Sequence, residues 1–225
     1  MNKLYLLIIF IFFHELSFSQ YDFYQNFSDN SDDNYIKTMV STFEELICDY
    51  YSIEKDKSQK AYKLYLQEIS KEKVNFPSLL AKLSSEKSLQ LLKQSYEELA
   101  DYVWLKSSDN RHKFSHFSFT LFTPEELKKF KDEQFFEKYI NKIKSKKFVY
   151  IINYEEEFSD KLISISNNND IKDFILTFRE DYISTPLLIA PMLNLKEQDF
   201  KNQAIKTFIA FELFYTCLNS KIDNE

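Results

Sequence analysis

Two histidines, His112 and His116, are four residues apart and are candidates for binding a metal ion or for acid–base catalysis. On a helix this spacing would place two metal ligands on one face. Residues 117–121, which follow, alternate between apolar and polar, as in a strand. In an extended chain, two residues four positions apart are separated by about 13 Å, which is too far for them to share a metal ion. We therefore interpret His112 and His116 as surface or strand-edge residues rather than a zinc site or a catalytic pair. No metal site and no cofactor is predicted.

One carboxylate, Glu212, lies in the most apolar of the predicted helices, residues 200–218. If it were buried there its pKa would be raised, which suits a general acid. Thr216 and Asn219 fall on the same helical face, however, and form a narrow polar strip with Glu212. A strip that faces solvent is the simpler interpretation. On that interpretation, replacing Glu212 by Gln changes stability little.

A second group of carboxylates, Glu155, Glu156, Glu157 and Asp160, crowds one connection of the chain. Carboxylates so close together could bind a cation or serve as the acid and base of a hydrolase or lyase. Runs of charge are usually solvated, and we favour that interpretation. Glu212, Glu155 and Glu156 complete, with the two histidines, the set of catalytic candidates. None of them is assigned a catalytic role from the sequence.

Composition excludes several classes of function. The chain has no glycine, so a P-loop, a dinucleotide-binding fingerprint, a nucleophile elbow and an EF-hand loop are absent in their standard forms. Turns are expected to use Asn, Asp and Ser instead. The net charge of −6 argues against nucleic acid as a partner, because contacts to phosphate dominate that kind of binding.

Two cysteines, Cys48 and Cys217, remain for redox chemistry. In an oxidising compartment they are a candidate disulfide that would join the first long helix to the C-terminal helix. The alternative is two buried thiols that act as small apolar side chains. Sequence supplies no distance between them, so both alternatives stay open.

The N-terminal residues carry the features of an export signal. Lys3 precedes an apolar run from Leu4 to Phe13, and the small residues Ser17 and Ser19 occupy the −3 and −1 positions of a cleavage after Ser19. We therefore predict a signal peptide over residues 1–19, a flexible acidic leader over 20–34 and one globular domain over 35–225. The processed protein is expected in the periplasm, at the cell surface or outside the cell, and not as an integral membrane protein.

Periodicity predicts a predominantly α-helical single domain. Residues 200–218 are apolar on almost every side and should form a buried central helix with antiparallel helices around it. Alternation at 117–121 and 162–166, together with the short run of β-branched and aromatic residues at 148–154, predicts a small sheet of two or three strands near residues 117–166. The helical pattern covers residues 35–50, a face made of Tyr62, Tyr65, Leu66 and Ile69, a long helix that Trp104 ends, and a helix capped by Asp170.

These features favour an exported, non-catalytic binding or interaction protein whose partner is an unknown protein or small molecule. A hydrolase or lyase that works through Glu212 or the carboxylates of residues 155–157 is the alternative from another class. A small-ligand carrier would instead require an internal cavity lined by aromatic side chains.

Overall fold

The computed structural model describes residues 35–71, 75–109, 147–181 and 193–222, with isolated positions at 137, 141, 145 and 190. The signal peptide predicted for residues 1–19 and the leader predicted for 20–34 lie outside the described residues. So do the strand predicted at 117–121 and both candidate histidines, His112 and His116.

The described residues form a mainly helical fold with one small antiparallel sheet, as the periodicity predicted. The elements are α1 (Tyr35–Tyr51), α2 (Ser58–Ile69), α3 (Phe76–Leu83), α4 (Glu86–Glu98), β1 (Trp104–Ser107), β2 (Val149–Ile152), α5 (Glu157–Ser166), α6 (Asn169–Asp181), α7 (Gln203–Ala210) and α8 (Thr216–Ile222). Short 3₁₀ turns precede α2 and α7, and a π-helix, Phe211–Tyr215, joins α7 to α8.

Side-chain caps define where several helices begin. The Asn75 side chain accepts a hydrogen bond from the Ser78 backbone N–H, and Pro77 occupies the first turn of α3, where its missing N–H costs nothing. Asn202 caps α7 in the same way through the N–H of Ala204. α6 differs from the prediction, because Asn168 accepts from the Ile171 N–H as its cap. The carboxylate of Asp170 instead accepts from the backbone N–H of Asn194.

The core lies between the first helices and the C-terminal segment. Phe43 of α1 sits with its ring 5.2 Å from Tyr65 of α2 and 4.8 Å from Phe214 of the π-helix. Phe211 in turn lies 5.8 Å from the Trp104 ring and 5.6 Å from Phe158. Aromatic rings in these arrangements add specific contacts to the burial of apolar area. The predicted face of Tyr62, Tyr65, Leu66 and Ile69 is buried, which confirms that part of the helical pattern.

Within the described residues the sheet has two strands, and only one of these two was predicted. β2 confirms the strand expected at 148–154, and it pairs antiparallel with β1 so that Trp104 faces Ile152 and Ser107 faces Val149. Trp104 therefore opens a strand instead of ending a helix. α4 stops earlier, at Glu98, and the indole N–H of Trp104 donates back to the Ser95 hydroxyl at 3.0 Å.

The strand predicted at 162–166 was wrong, because these residues form the second half of α5. Five residues are too few to separate a period of two from one of 3.6. The buried positions Phe158, Leu162 and Ser166 recur every four residues, which is the helical spacing.

In the part of the chain that the structure describes, left-handed backbone occurs at three positions, and each is a residue type expected to replace glycine. φ is 54° at Ser52, 62° at Asp101 and 47° at Asn167. Asp and Asn tolerate this region better than other non-glycine residues because their short side chains hydrogen-bond locally. The expectation that Asn, Asp and Ser make the turns is thus confirmed at these positions.

Within the described part of the chain, no helix combines the length and the apolar character that crossing a bilayer requires.

Candidate functional site

The C-terminal segment is the buried centre that the sequence predicted. Every residue from Ala204 to Tyr215 is buried, and the segment contacts α1, α2, α4, α5 and β2. Its middle, Phe211–Tyr215, is a π-helix, which inserts an extra residue into the helical turn. Two tyrosine hydroxyls link this segment to neighbouring helices: Tyr65 of α2 donates to the Leu213 carbonyl at 2.7 Å, and Tyr215 of the segment donates to the Met39 carbonyl of α1 at 2.9 Å.

Glu212 lies in this π-helix and does not face solvent. It is 5 % exposed and Asn219 is 2 % exposed, so the interpretation of a solvent-facing polar strip was wrong. Only Thr216 is partly exposed, and its hydroxyl donates to the Phe211 carbonyl at 2.8 Å. The Asn219 amide donates to the Tyr150 carbonyl of β2 at 2.8 Å. The polar groups of the strip thus find partners inside the fold, which apolar periodicity cannot show.

The Tyr154 hydroxyl donates a short hydrogen bond to the Glu212 carboxylate. Burial raises the pKa of Glu212 to about 7, and the hydrogen bond from Tyr154 opposes that rise because it stabilises the charged form. Burial, followed by the neighbouring Glu212 charge, raises the pKa of Tyr154 well above its ordinary value. The Glu212 carboxyl therefore gains or loses its proton near neutral pH.

Tyr154 is held in place from two sides. Its ring lies 4.9 Å from Phe178 and 6.4 Å from Phe174 of α6. Its carbonyl accepts from Arg179 Nε at 2.6 Å, and Arg179 Nη2 also contacts Asp160 Oδ1 at 2.6 Å. The Glu212–Tyr154 pair is therefore a rigid, enclosed feature. A carboxyl that is 5 % exposed offers a substrate almost no surface to approach, so this arrangement favours a structural role over general acid catalysis.

The second group of carboxylates lies on the surface. Glu155, Glu156, Glu157 and Asp160 are all exposed. Glu157 pairs with Lys161 at 2.6 Å, and Asp160 pairs with Arg179. The four side chains do not converge with Glu212 on one pocket. Among the described residues, no three His, Cys, Asp or Glu side chains come together as a metal site.

Cys48 of α1 and Cys217 of α8 are both buried, and no disulfide joins them in the structure. Burial raises the pKa of the Cys48 thiol to about 11 and, with the Glu212 charge nearby, that of Cys217 well above its ordinary value. Thiols of this kind are poor nucleophiles because the reactive species is the thiolate.

A buried ion pair joins α7 to the first two helices. Lys206 Nζ lies 2.5 Å from Glu44 Oε2 and 3.3 Å from the Ser58 hydroxyl, and it stands 5.4 Å from the centre of the Tyr62 ring. The Lys206 side chain is 8 % exposed and that of Glu44 is 23 % exposed. Such a pair fixes the relative position of the helices, because separating it would leave a charge without its partner.

One open cleft of about 380 Å³ lies between α2 and the chain that leads into α7. Its α2 side is formed by Lys63, Leu66 and Gln67 of that helix and by Ser70, which caps its C-terminus. Its other side is formed by Ala190, Leu193, Leu195 and Phe200. Leu66, Leu193 and Phe200 are buried and make an apolar floor, whereas Lys63, Gln67 and Ser70 place polar groups at the rim. Its volume lies within the range of small-molecule sites, roughly 300–1,000 Å³.

This cleft was not predicted from the sequence, although the residues on its α2 side follow a recognisable helical pattern. Lys63, Leu66, Gln67 and Ser70 follow the i, i+3, i+4, i+7 spacing of one helical face, next to the buried face of Tyr62 and Tyr65. A helical face that mixes apolar and polar residues lies at the border between the buried and the exposed side of the helix, where a cleft can form. Nothing local indicates that residues 193–200 lie opposite it.

The comparisons with known proteins add nothing to this geometry: no protein-family model, curated protein or solved structure matches the chain significantly.

Proposed function

We propose that this chain is an exported, non-catalytic protein that binds a small molecule in the cleft between α2 and residues 193–200. The observation that carries the proposal is the cleft itself, with its volume of about 380 Å³, an apolar floor and a polar rim. Binding sites for small molecules are usually concave and mostly apolar, with a few polar groups that orient the ligand.

The distribution of ionisable side chains supports binding rather than chemistry. Lys63 is the charged side chain among the described residues that line the cleft. The carboxylates named from the sequence lie elsewhere, with Glu212 enclosed in the core and Glu155 and Glu156 exposed on the surface. General acid–base catalysis needs its groups within hydrogen-bonding reach of one substrate, and these carboxylates share no such place.

A neutral apolar dye, N-phenyl-1-naphthylamine, tests the cleft directly, because its fluorescence rises when it leaves water. We expect saturable binding of one dye per protein. Leu195→Glu places a charge beside the apolar floor and should weaken dye binding about tenfold or more. Leu176→Glu is the matched control, because Leu176 is an exposed leucine on α6 that does not line the cleft. Its dye affinity should equal that of the unmodified protein.

Two outcomes would overturn the proposal. One is the lack of saturable dye binding, and the other is a Leu195→Glu variant that binds the dye as tightly as the control while circular dichroism shows both to be folded. Export is tested separately by N-terminal sequencing of protein isolated from its natural source. The predicted signal peptide requires Gln20 as the first residue, and a chain that still begins at Met1 contradicts it.

A further inference from the structure

We propose that the ligand of the cleft is a small amphiphile with one carboxylate, whose apolar part lies on the floor and whose charge is bound by Lys63. This inference rests on the proposed function and names the class of molecule bound.

The first observation is the state of Lys63. It is half-buried on α2, and within the part of the chain that the structure describes it forms no ion pair. The other lysines of the described residues that are partly or fully withdrawn from solvent behave differently: Lys161 pairs with Glu157, and the buried Lys206 pairs with Glu44. A cation that is partly withdrawn from water and lacks a carboxylate is electrostatically complementary to an anion.

The second observation is the position of that charge relative to the apolar floor. Lys63 lies at one end of this side of the cleft and Ser70, the C-cap of α2, lies at the other, seven residues or roughly 10 Å along the helix axis. Leu66 lies between them, and Leu193 and Phe200 extend the apolar surface from the opposite side. The Phe200 ring is fixed by stacking on Tyr62 at 5.7 Å. A ligand with a negative charge at one end and an apolar body can contact Lys63 and the apolar floor at the same time.

The lining also argues against a cationic or highly polar ligand. No carboxylate belongs to the described lining, so a cation would meet only Lys63 and be repelled. The Ser70 hydroxyl is already engaged, since it donates to the Leu66 carbonyl at 2.6 Å. A sugar-like ligand with many hydroxyl groups would bury most of them against leucine and phenylalanine without partners, which is costly.

The test is competition against the bound dye by octanoate and by 1-octanol, which share one apolar chain and differ in the charge. In the unmodified protein both should displace the dye. Lys63→Met should weaken octanoate about fivefold, the upper range for a partly exposed ion pair, and leave 1-octanol unchanged. Lys63→Arg should restore octanoate binding, because it restores the positive charge. Lys60→Met is the matched control, since Lys60 is an exposed lysine on the same helix outside the cleft.

The outcomes separate this inference from the proposed function. If 1-octanol displaces the dye but octanoate binds the Lys63→Met variant and the unmodified protein equally, the cleft binds ligands and the carboxylate inference is wrong. It is also wrong if Lys63→Met weakens octanoate and 1-octanol by the same factor, because the lysine then contributes through its apolar stem. If no dye binds at the cleft, the proposed function fails and this inference fails with it.

Discussion

Glu212 exchanges the hydration of its carboxylate for a hydrogen bond from Tyr154 in the centre of the core. Its pKa rises from an ordinary 4.5 to about 7 because burial penalises the charged form. At pH below 4.5 the carboxyl is protonated in both the folded and the unfolded chain. Between pH 4.5 and 7 only the folded chain keeps the proton, so the contribution of Glu212 to stability falls as pH rises. Above pH 7 the loss is complete.

Replacing Glu212 by Gln removes this pH dependence. Glutamine is neutral and of the same shape, and its amide oxygen accepts the hydrogen bond from Tyr154. We expect the variant to gain about 3 kcal/mol over the unmodified protein when the pH is raised from 4.5 to 8, measured by urea unfolding at each pH. The exposed substitution Glu156→Gln is the control and should follow the unmodified protein. Parallel curves for Glu212→Gln and the unmodified protein would show that the carboxyl titrates normally.

Sequence reasoning could name Glu212 but not place it. A helical wheel with 3.6 residues per turn puts Glu212, Thr216 and Asn219 on one face, whereas the π-helix at 211–215 shifts the phase of the residues that follow. The partners that allow Glu212 and Asn219 to be buried come from residues 150 and 154, more than fifty positions earlier. The position of a polar group in a core depends on such distant partners, and they leave no local pattern.

At the scale of elements, the buried ion pair between Lys206 and Glu44 determines how α7 lies against α1. Single removal of one charge is expected to cost more than removal of both, because it leaves the other charge in a poorly solvated place. Glu44→Gln strands the more buried partner, Lys206, and should lower the free energy of unfolding by about 3 kcal/mol in chemical denaturation. The double variant Glu44→Leu with Lys206→Met should recover most of that loss.

The neighbouring residue Glu45 provides the control for this pair. Its carboxylate contacts Lys55 at 2.7 Å and Lys87 at 3.4 Å, but its side chain is 40 % exposed. Glu45→Gln should therefore cost less than about 1 kcal/mol. Equal losses for Glu44→Gln and Glu45→Gln would show that burial does not matter for the Lys206 pair.

The elements themselves were predicted unevenly, and the reason is the range of the contacts that stabilise them. α1, α2 and the C-terminal segment could be predicted from local periodicity, because α1 and α2 each bury one face and the C-terminal segment is buried on nearly every side. β1 was missed because its hydrogen-bonding partner, β2, lies more than forty residues later in the chain. Trp104 illustrates the ambiguity, since a large apolar residue after a helix fits either the end of that helix or the start of a strand.

At the scale of the molecule, α1 and α8 come from opposite ends of the described chain and each brings a cysteine into the core. The raised pKa of Cys48 and Cys217 means that neither is a thiolate at pH 8. We expect iodoacetamide to leave both unmodified in the native protein and to modify both in urea without reductant, as read by intact mass. Two adducts that appear in urea only after reduction would instead establish the disulfide considered from the sequence.

The left-handed residues Ser52, Asp101 and Asn167 carry a consequence for engineering. A residue with a Cβ atom is strained in this region, and the strain is greatest for Ser and least for Asn. Glycine removes it, at a cost in unfolded-state entropy of roughly 0.5–1 kcal/mol. Ser52→Gly should therefore raise the melting temperature by a few degrees in calorimetry and Asn167→Gly should change it little, whereas the reverse order would refute the strain. In a protein that contains no glycine, introducing glycine at a strained left-handed turn position is therefore a route to a higher melting temperature.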